Sequence, residues 1–87
     1  MAAIDITDGP SKGELVTRML SDLPMTFHTT GGSIEVLIEE MQETDASGNH
    51  LAFVGRIVVG AQTGARVEGT YDCQRQIGSM TLTANGP

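Results

Sequence analysis

Aromatic residues are scarce in this 87-residue sequence, which has no Trp, two Phe and one Tyr. A hydrophobic core must therefore be built mainly from Ile, Val, Leu and Met, and Met side chains adapt readily to irregular space. A chain of this length buries roughly 60–65% of the surface that its unfolded form exposes. The length predicts a single domain over residues 1–87. We expect modest stability, which assembly with another molecule would supplement.

Positive charge is also scarce. Five Lys and Arg residues stand against eleven Asp and Glu residues, which gives a net charge of −6. Nucleic-acid binding requires a basic stripe that displaces counterions from phosphate, and an anionic membrane surface requires basic residues for the same reason. We therefore predict neither a nucleic-acid nor a membrane partner. The acidity fits solubility alone or a partner with a basic surface, and both readings stay open.

Cysteine and long apolar runs are nearly missing. Cys73 is the only cysteine, so an internal disulfide is excluded and the fold does not depend on an oxidising compartment. The N-terminal segment 1–7 has neither the basic nor the apolar region of a signal peptide. Apolar runs are far shorter than the roughly 20 residues that span a bilayer. We therefore predict a cytoplasmic protein.

One segment has helical periodicity. Ser11 and Glu14 have the spacing of a capping box, in which each side chain bonds a backbone N–H of the first turn. An apolar stripe follows, and Pro24 ends it. We predict a helix over about 11–23, too short to be stable alone, so its stripe must pack on a sheet. The stripe consists of Leu15, Val16, Met19, Leu20 and Leu23.

From Met25 onward, the period changes to two, which is typical of strands. Glycine-rich and Asp/Asn-rich segments separate the alternating runs. The alternation of Ile4 and Ile6 allows a further short edge strand. The predicted fold class is α+β, with one N-terminal amphipathic helix packed on a four- to five-stranded antiparallel β-meander. The predicted strands span about 25–30, 33–43, 51–59, 65–73 and 79–84.

The hairpin over 51–73 carries a specific register prediction. If the loop 60–64 closes it symmetrically, Phe53 lies opposite Tyr71 and Gly55 opposite Gly69 on the core side. Arg56 then faces Glu68 on the other side, as an opposite-charge cross-strand pair. The same pairing puts Cys73 opposite Leu51 on the core side, where it would be a small buried hydrophobe.

The second face of the predicted sheet is not purely polar. Leu37 is expected opposite Val58 and Met41 opposite Val54, all on this face. Either another molecule covers it, in the form of a partner or a second copy in a homodimer, or the sheet curls and its own termini cover it. The candidate interface residues are Leu37, Met41, Val54, Val58, Glu35, Glu39 and Arg75.

No combination of residues indicates catalysis, a cofactor or a metal. The acidic residues lack the spacing of a calcium loop, and the two histidines, His28 and His50, have no ligand spacing with Cys73. No phosphate-binding glycine motif occurs. We expect solvated or singly hydrogen-bonded histidines. The densest acidic run consists of Glu35, Glu39, Glu40, Glu43 and Asp45.

Two short segments near the end, 69–72 and 78–82, resemble the closing hairpins of lipocalin-like β-meanders. The likeness is general to hairpins and the chain is too short for an eight-stranded barrel, so it implies no residue roles and no family.

Two classes of function remain open from the sequence. The first is a non-enzymatic interaction module, such as a small acidic regulator, inhibitor or accessory subunit. The second is a small-ligand binding domain with a pocket between sheet and helix near Gly55 and Gly69, completed by dimerisation if the chain pairs. An enzyme ranks behind both, because no nucleophile, base and orienting group occur together.

Overall fold

The computed structural model describes residues 3–60 and 62–83, and its six antiparallel strands close into a barrel in the order β1 to β6. Each strand pairs with the next along the chain, and β1 also pairs with β6. The strands are β1 (Ala3–Asp8), β2 (Met25–Thr29), β3 (Gly32–Glu43), β4 (His50–Val59), β5 (Arg66–Asp72) and β6 (Ile77–Thr83), and the helix is α1 (Lys12–Leu20).

The predicted α+β arrangement, a helix packed on an open meander, is wrong. β1 is a full strand whose Ile4 pairs with Met80 of β6, and this pairing turns the sheet into a closed ring. The five predicted strands are present with bounds that differ by one or two residues, apart from Ala84, which lies outside the described residues. Because the ring encloses its own core, the sheet does not need a helix to cover its inner face.

The helix instead lies at one end of the barrel. Leu15 is its one buried residue and belongs to the barrel core. Lys12 pairs with Glu43 at the end of β3 over 2.6 Å and also donates to the carbonyl of Gly48. The preceding chain is held by Tyr71, whose buried hydroxyl donates to the carbonyl of Pro10 over 2.7 Å. These contacts fix α1 where β3 ends and β4 begins.

The helix is shorter than predicted. Ser11 caps it, and its hydroxyl accepts from the N–H of Glu14 over 3.3 Å. Asp22 adopts a left-handed φ of 54°, and the N–H of Leu23 returns to the carbonyl of Arg18 over 2.8 Å. This is a Schellman termination with Asp where Gly is usual. Leu23 therefore lies outside the helix and is half exposed.

The core contains all three aromatic residues. Phe27 stacks on Phe53 with ring centroids 5.8 Å apart and meets Tyr71 edge to face at 5.3 Å. Aliphatic side chains and Met from every strand surround this cluster. The buried hydrophobic residues are Ile6, Leu15, Met25, Phe27, Ile34, Val36, Ile38, Leu51, Phe53, Ile57, Val67, Tyr71, Cys73, Met80 and Leu82.

The predicted β4–β5 register is wrong by two residues, although the inner and outer faces are right. Phe53 lies opposite Gly69, and Arg56 lies opposite Arg66 rather than Glu68. The cause is the turn: the N–H of Ile57 donates to the Ala65 carbonyl over 3.0 Å and the N–H of Gly64 donates to the Ile57 carbonyl over 2.7 Å, so the hairpin closes at Ile57 rather than at Val59. A shift by two residues preserves the side-chain alternation, so every inward residue stays inward.

β3 contains a bulge that the alternation did not predict. Ile38 pairs with Gly55 and Glu40 with Val54, so Glu39 is the extra residue. After the bulge the inward positions change by one residue. Met41 consequently pairs with inward-facing Phe53 and packs against the core, and the predicted pairing of Met41 with Val54 on the outer face is wrong.

Candidate functional site

The outer surface of β3, β4 and β5 carries a groove, called here the outer groove. It has a volume of about 370 Å³. Glu40, Val54 and Glu68 form one row across the three strands, with Val54 directly opposite both carboxylates. Neighbouring residues of the same three strands complete the lining. The lining residues are Glu40, Met41, Gln42, Ala52, Phe53, Val54, Glu68 and Gly69.

The outer groove is acidic and has an apolar floor. Val54 is half-buried, whereas Glu40 and Glu68 are exposed. No salt bridge joins either carboxylate to a cation among residues 3–60 and 62–83. Directly opposed residues have Cβ atoms roughly 5 Å apart, so the Cβ atoms of Glu40 and Glu68 lie on either side of Val54, about 10 Å from each other. The groove therefore offers an apolar strip between two anionic walls.

A cationic row borders the groove. Arg56 lies directly opposite Arg66, and its guanidinium is 3.9 Å from the Glu39 carboxylate. Like charges on opposed positions repel. The surface thus presents an acidic row beside a basic row.

The structure brings only part of the predicted interface together. The predicted pairing of Leu37 with Val58 is wrong, since Leu37 lies opposite Arg56 and Val58 lies at a second bulge. Both are half-buried on the outer side near the groove. Glu35 is half-buried opposite Val59, and Glu39 is exposed at its bulge. Met41 packs against the core instead of lying on the outer face. Arg75 lies in the turn between β5 and β6, at the helix end of the barrel.

Two groove residues, Glu40 and Glu68, were absent from the predicted interface. The incorrect register gave Glu68 a salt-bridge partner in Arg56. The missed signal for Glu40 is the adjacent pair Glu39-Glu40, which breaks the apolar–polar alternation where the bulge occurs.

A second polar cluster lies at the helix end of the barrel. His50 places its Nδ1 2.5 Å from an Asp45 oxygen and its Nε2 3.3 Å from an Asp72 oxygen. Both ring nitrogens thus face carboxylates, more than the single hydrogen bond expected. The imidazole joins the turn after β3 to the end of β5. His28 keeps one contact, 2.9 Å from the Ser33 hydroxyl.

Both carboxylates of this cluster are stabilised as anions. Hydrogen bonds from the N–H groups of Arg75 and Gln74, together with nearby His50, lower the pKa of Asp72. The Ser47 hydroxyl, which donates over 2.7 Å, and His50 lower the pKa of Asp45. His50 thus links the turn after β3 to the end of β5 through these two carboxylates.

We expect Asp72→Asn to weaken the folded chain at neutral pH and to lose this effect in acid. A lowered folded pKa gives stability that is present above the ordinary value of 3.8 and is lost as pH falls through the folded pKa. Asn still accepts both backbone hydrogen bonds, so the variant isolates the charge. Urea midpoints should differ from wild type at about pH 6–7 and converge only as the pH falls well below 3.8, where the Asp72 carboxyl of folded wild type becomes protonated.

Asp5→Asn is the matched control for this measurement, because Asp5 is an exposed strand residue that loses the same charge. An equal pH-dependent effect in both variants would contradict a role for the Asp45–His50–Asp72 cluster.

Cys73 is buried, as predicted, although Leu51 lies opposite Tyr71 rather than opposite the cysteine. Burial raises the pKa of its thiol, which disfavours the reactive thiolate. Within the described part of the chain, no group of three or more His, Cys, Asp or Glu side chains is arranged to hold a metal ion. The same residues include no helix of the length and apolar character needed to cross a membrane.

Comparison with known proteins finds no matching family model, no similar curated protein and no similar solved structure.

Proposed function

We propose that this chain is a non-enzymatic interaction module whose outer groove binds a basic segment of a partner protein. The observation that carries the proposal is the row of Glu40, Val54 and Glu68, in which an apolar floor lies between two carboxylates that have no cationic partner on the described chain. A Lys or Arg side chain fits this chemistry, since its stem packs on apolar surface while its head contacts a carboxylate.

The closed ring restricts how such a partner binds. Every described strand has a neighbour on both sides for at least part of its length, which leaves a partner little free strand edge from which to extend the sheet. We therefore expect recognition to use side chains on the outer surface. The basic row of Arg56 and Arg66 beside the groove would repel an all-basic segment and favour one that also carries an acidic residue.

We expect the double variant Glu40→Gln, Glu68→Gln to bind a blocked peptide that combines Lys and Leu with one Glu about five- to tenfold more weakly than wild type in 20 mM salt. Two exposed charge contacts of a few tenths to 1 kcal/mol each account for roughly this factor. Fluorescence anisotropy measures it. In 200 mM salt the difference should shrink, because exposed charges are screened.

The control is Asp5→Asn, Asp22→Asn, which removes the same charge from two exposed positions outside the groove. Asn tolerates the left-handed φ of Asp22. Equal weakening by both double variants would mean that net charge alone causes the effect, and it would contradict the outer groove as the binding site. The homodimer stays a prediction of its own. Sedimentation of the chain without peptide over a dilution series tests it, because a dimer dissociates on dilution whereas a monomer keeps its mass.

A further inference from the structure

A cavity of about 210 Å³ opens at the end of the barrel opposite α1. It lies between the β2–β3 turn, the loop after β4, and the ends of β1 and β6. Ile34, Ile57 and Leu82, all buried core residues, form its apolar floor, and exposed Thr30 and Gln62 are at its rim. The mouth of a β-barrel is a common place for a small-molecule site.

The lining of the cavity disfavours a charged ligand. The described lining residues include no Lys, Arg, His, Asp or Glu. A charged group entering the cavity would lose hydration and gain no ion pair, which is costly. The hydroxyl of Thr29 is already used in the turn, where it donates to the Gly32 carbonyl over 2.6 Å. Polar contacts for a ligand are therefore confined to the rim.

The volume limits the size of the occupant. An apolar cavity of about 150 Å³ in another protein holds benzene, which has six non-hydrogen atoms. By proportion, this cavity accepts about eight. We propose that it binds one neutral, mostly aliphatic molecule of about this size, with a single hydroxyl or amide group directed to Thr30 and Gln62.

The test is an NMR titration of the full chain with straight-chain alcohols, followed at the methyl groups of Ile34, Ile57 and Leu82. We expect saturable shifts of these methyls. Each added methylene should tighten binding about three- to fourfold up to 1-heptanol, which has eight non-hydrogen atoms, after which the gain should stop. Heptanoate should bind at least tenfold more weakly than 1-heptanol, because its charge has no partner.

Variants of the floor should change the preferred length of the alcohol. Leu82→Ala removes three carbon atoms, so the tightest alcohol should become two to three carbons longer. Ile34→Val removes one methyl group, so the tightest alcohol should become about one carbon longer. Because this change is mild, it still tests the cavity if Leu82→Ala does not fold. Leu20→Ala, at an 82% exposed helix position, is the control and should leave the length preference unchanged.

Unsaturable shifts, or shifts centred on exposed Leu20 and Leu23, would overturn the cavity as a binding site. So would an unchanged length preference in Ile34→Val. The cavity shares no residue with the outer groove, so failure of either site leaves the other unaffected.

Discussion

Phe27→Ala should lower the free energy of unfolding by about 3–5 kcal/mol, the usual cost of truncating a buried aromatic residue. Phe27 is fully buried, stacks on Phe53 at 5.8 Å and meets the edge of Tyr71 at 5.3 Å. Removing its ring leaves a void between the other two rings and ends both aromatic contacts. A domain of this size has a total stability of about 4–13 kcal/mol, so the loss is a large fraction of it.

Urea unfolding followed by far-UV circular dichroism measures the Phe27 effect. Phe27→Leu serves as the control, since it keeps most of the volume and should cost only about 1–2 kcal/mol. A loss below 1 kcal/mol in Phe27→Ala would mean that the three rings do not form the centre of the core. The sequence has no other aromatic residue to replace them.

Leu15→Ala should cost about 2–5 kcal/mol, although it changes one residue of a nine-residue helix. Leu15 is the only buried residue of α1, and it belongs to the barrel core. A helix this short is unstable without tertiary contacts. Loss of the Leu15 contact should therefore release α1 from the end of the barrel as well as leave a void.

Hydrogen exchange and urea unfolding together check the Leu15 result. The amides of α1 should exchange faster in the variant while those of β4 and β5 stay protected under native conditions. Leu20→Ala is the matched control on the same helix, and at 82% exposure it should change stability by less than about 0.5 kcal/mol. Equal effects of the two variants would contradict the placement of α1.

Local patterns in the sequence predict the elements of this fold well. The alternation from Met25 onward identifies five strands and separates inward from outward residues on β4 and β5 correctly, because the pleat imposes a period of two wherever one face is buried. Ser11 marks the start of the helix through its side-chain chemistry. These features depend on neighbours within a few residues.

Closure of the barrel could not be predicted in the same way. It depends on the pairing of Ile4 with Met80, residues that lie at opposite ends of the chain, and no local pattern specifies such a contact. Closure also bears on the two alternatives for the second face of the sheet, which were coverage by another molecule and a sheet that curls so that its own termini cover it. For the described strands, the sheet curls fully, and its termini join each other instead of covering the outer face.

Irregular positions account for the errors in the candidate site. The bulge at Glu39 redirects Met41, and the closure of the β4–β5 turn at Ile57 changes the partner of Arg56. A bulge adds a single residue at small energetic cost, so its effect on the pattern is easily missed. Hence Leu37 and Val54 were placed on the outer surface correctly, whereas the row of Glu40, Val54 and Glu68 became apparent only with the true pairing of β3, β4 and β5.

The pairing of β1 with β6 also bears on the order of folding. Joining the two ends of an unfolded chain costs chain entropy that increases with the length of the loop between them. Once the successive hairpins from β2 to β6 have formed, β6 lies near the start of β2. Pairing of β1 with β6 then closes only a short loop, so the remaining loss of chain entropy is small. We therefore expect the meander to form first and the ring to close last. Contacts that form after the transition state act mainly on the rate of unfolding, so the β1–β6 pairing should affect how long the native barrel persists more than how quickly it forms.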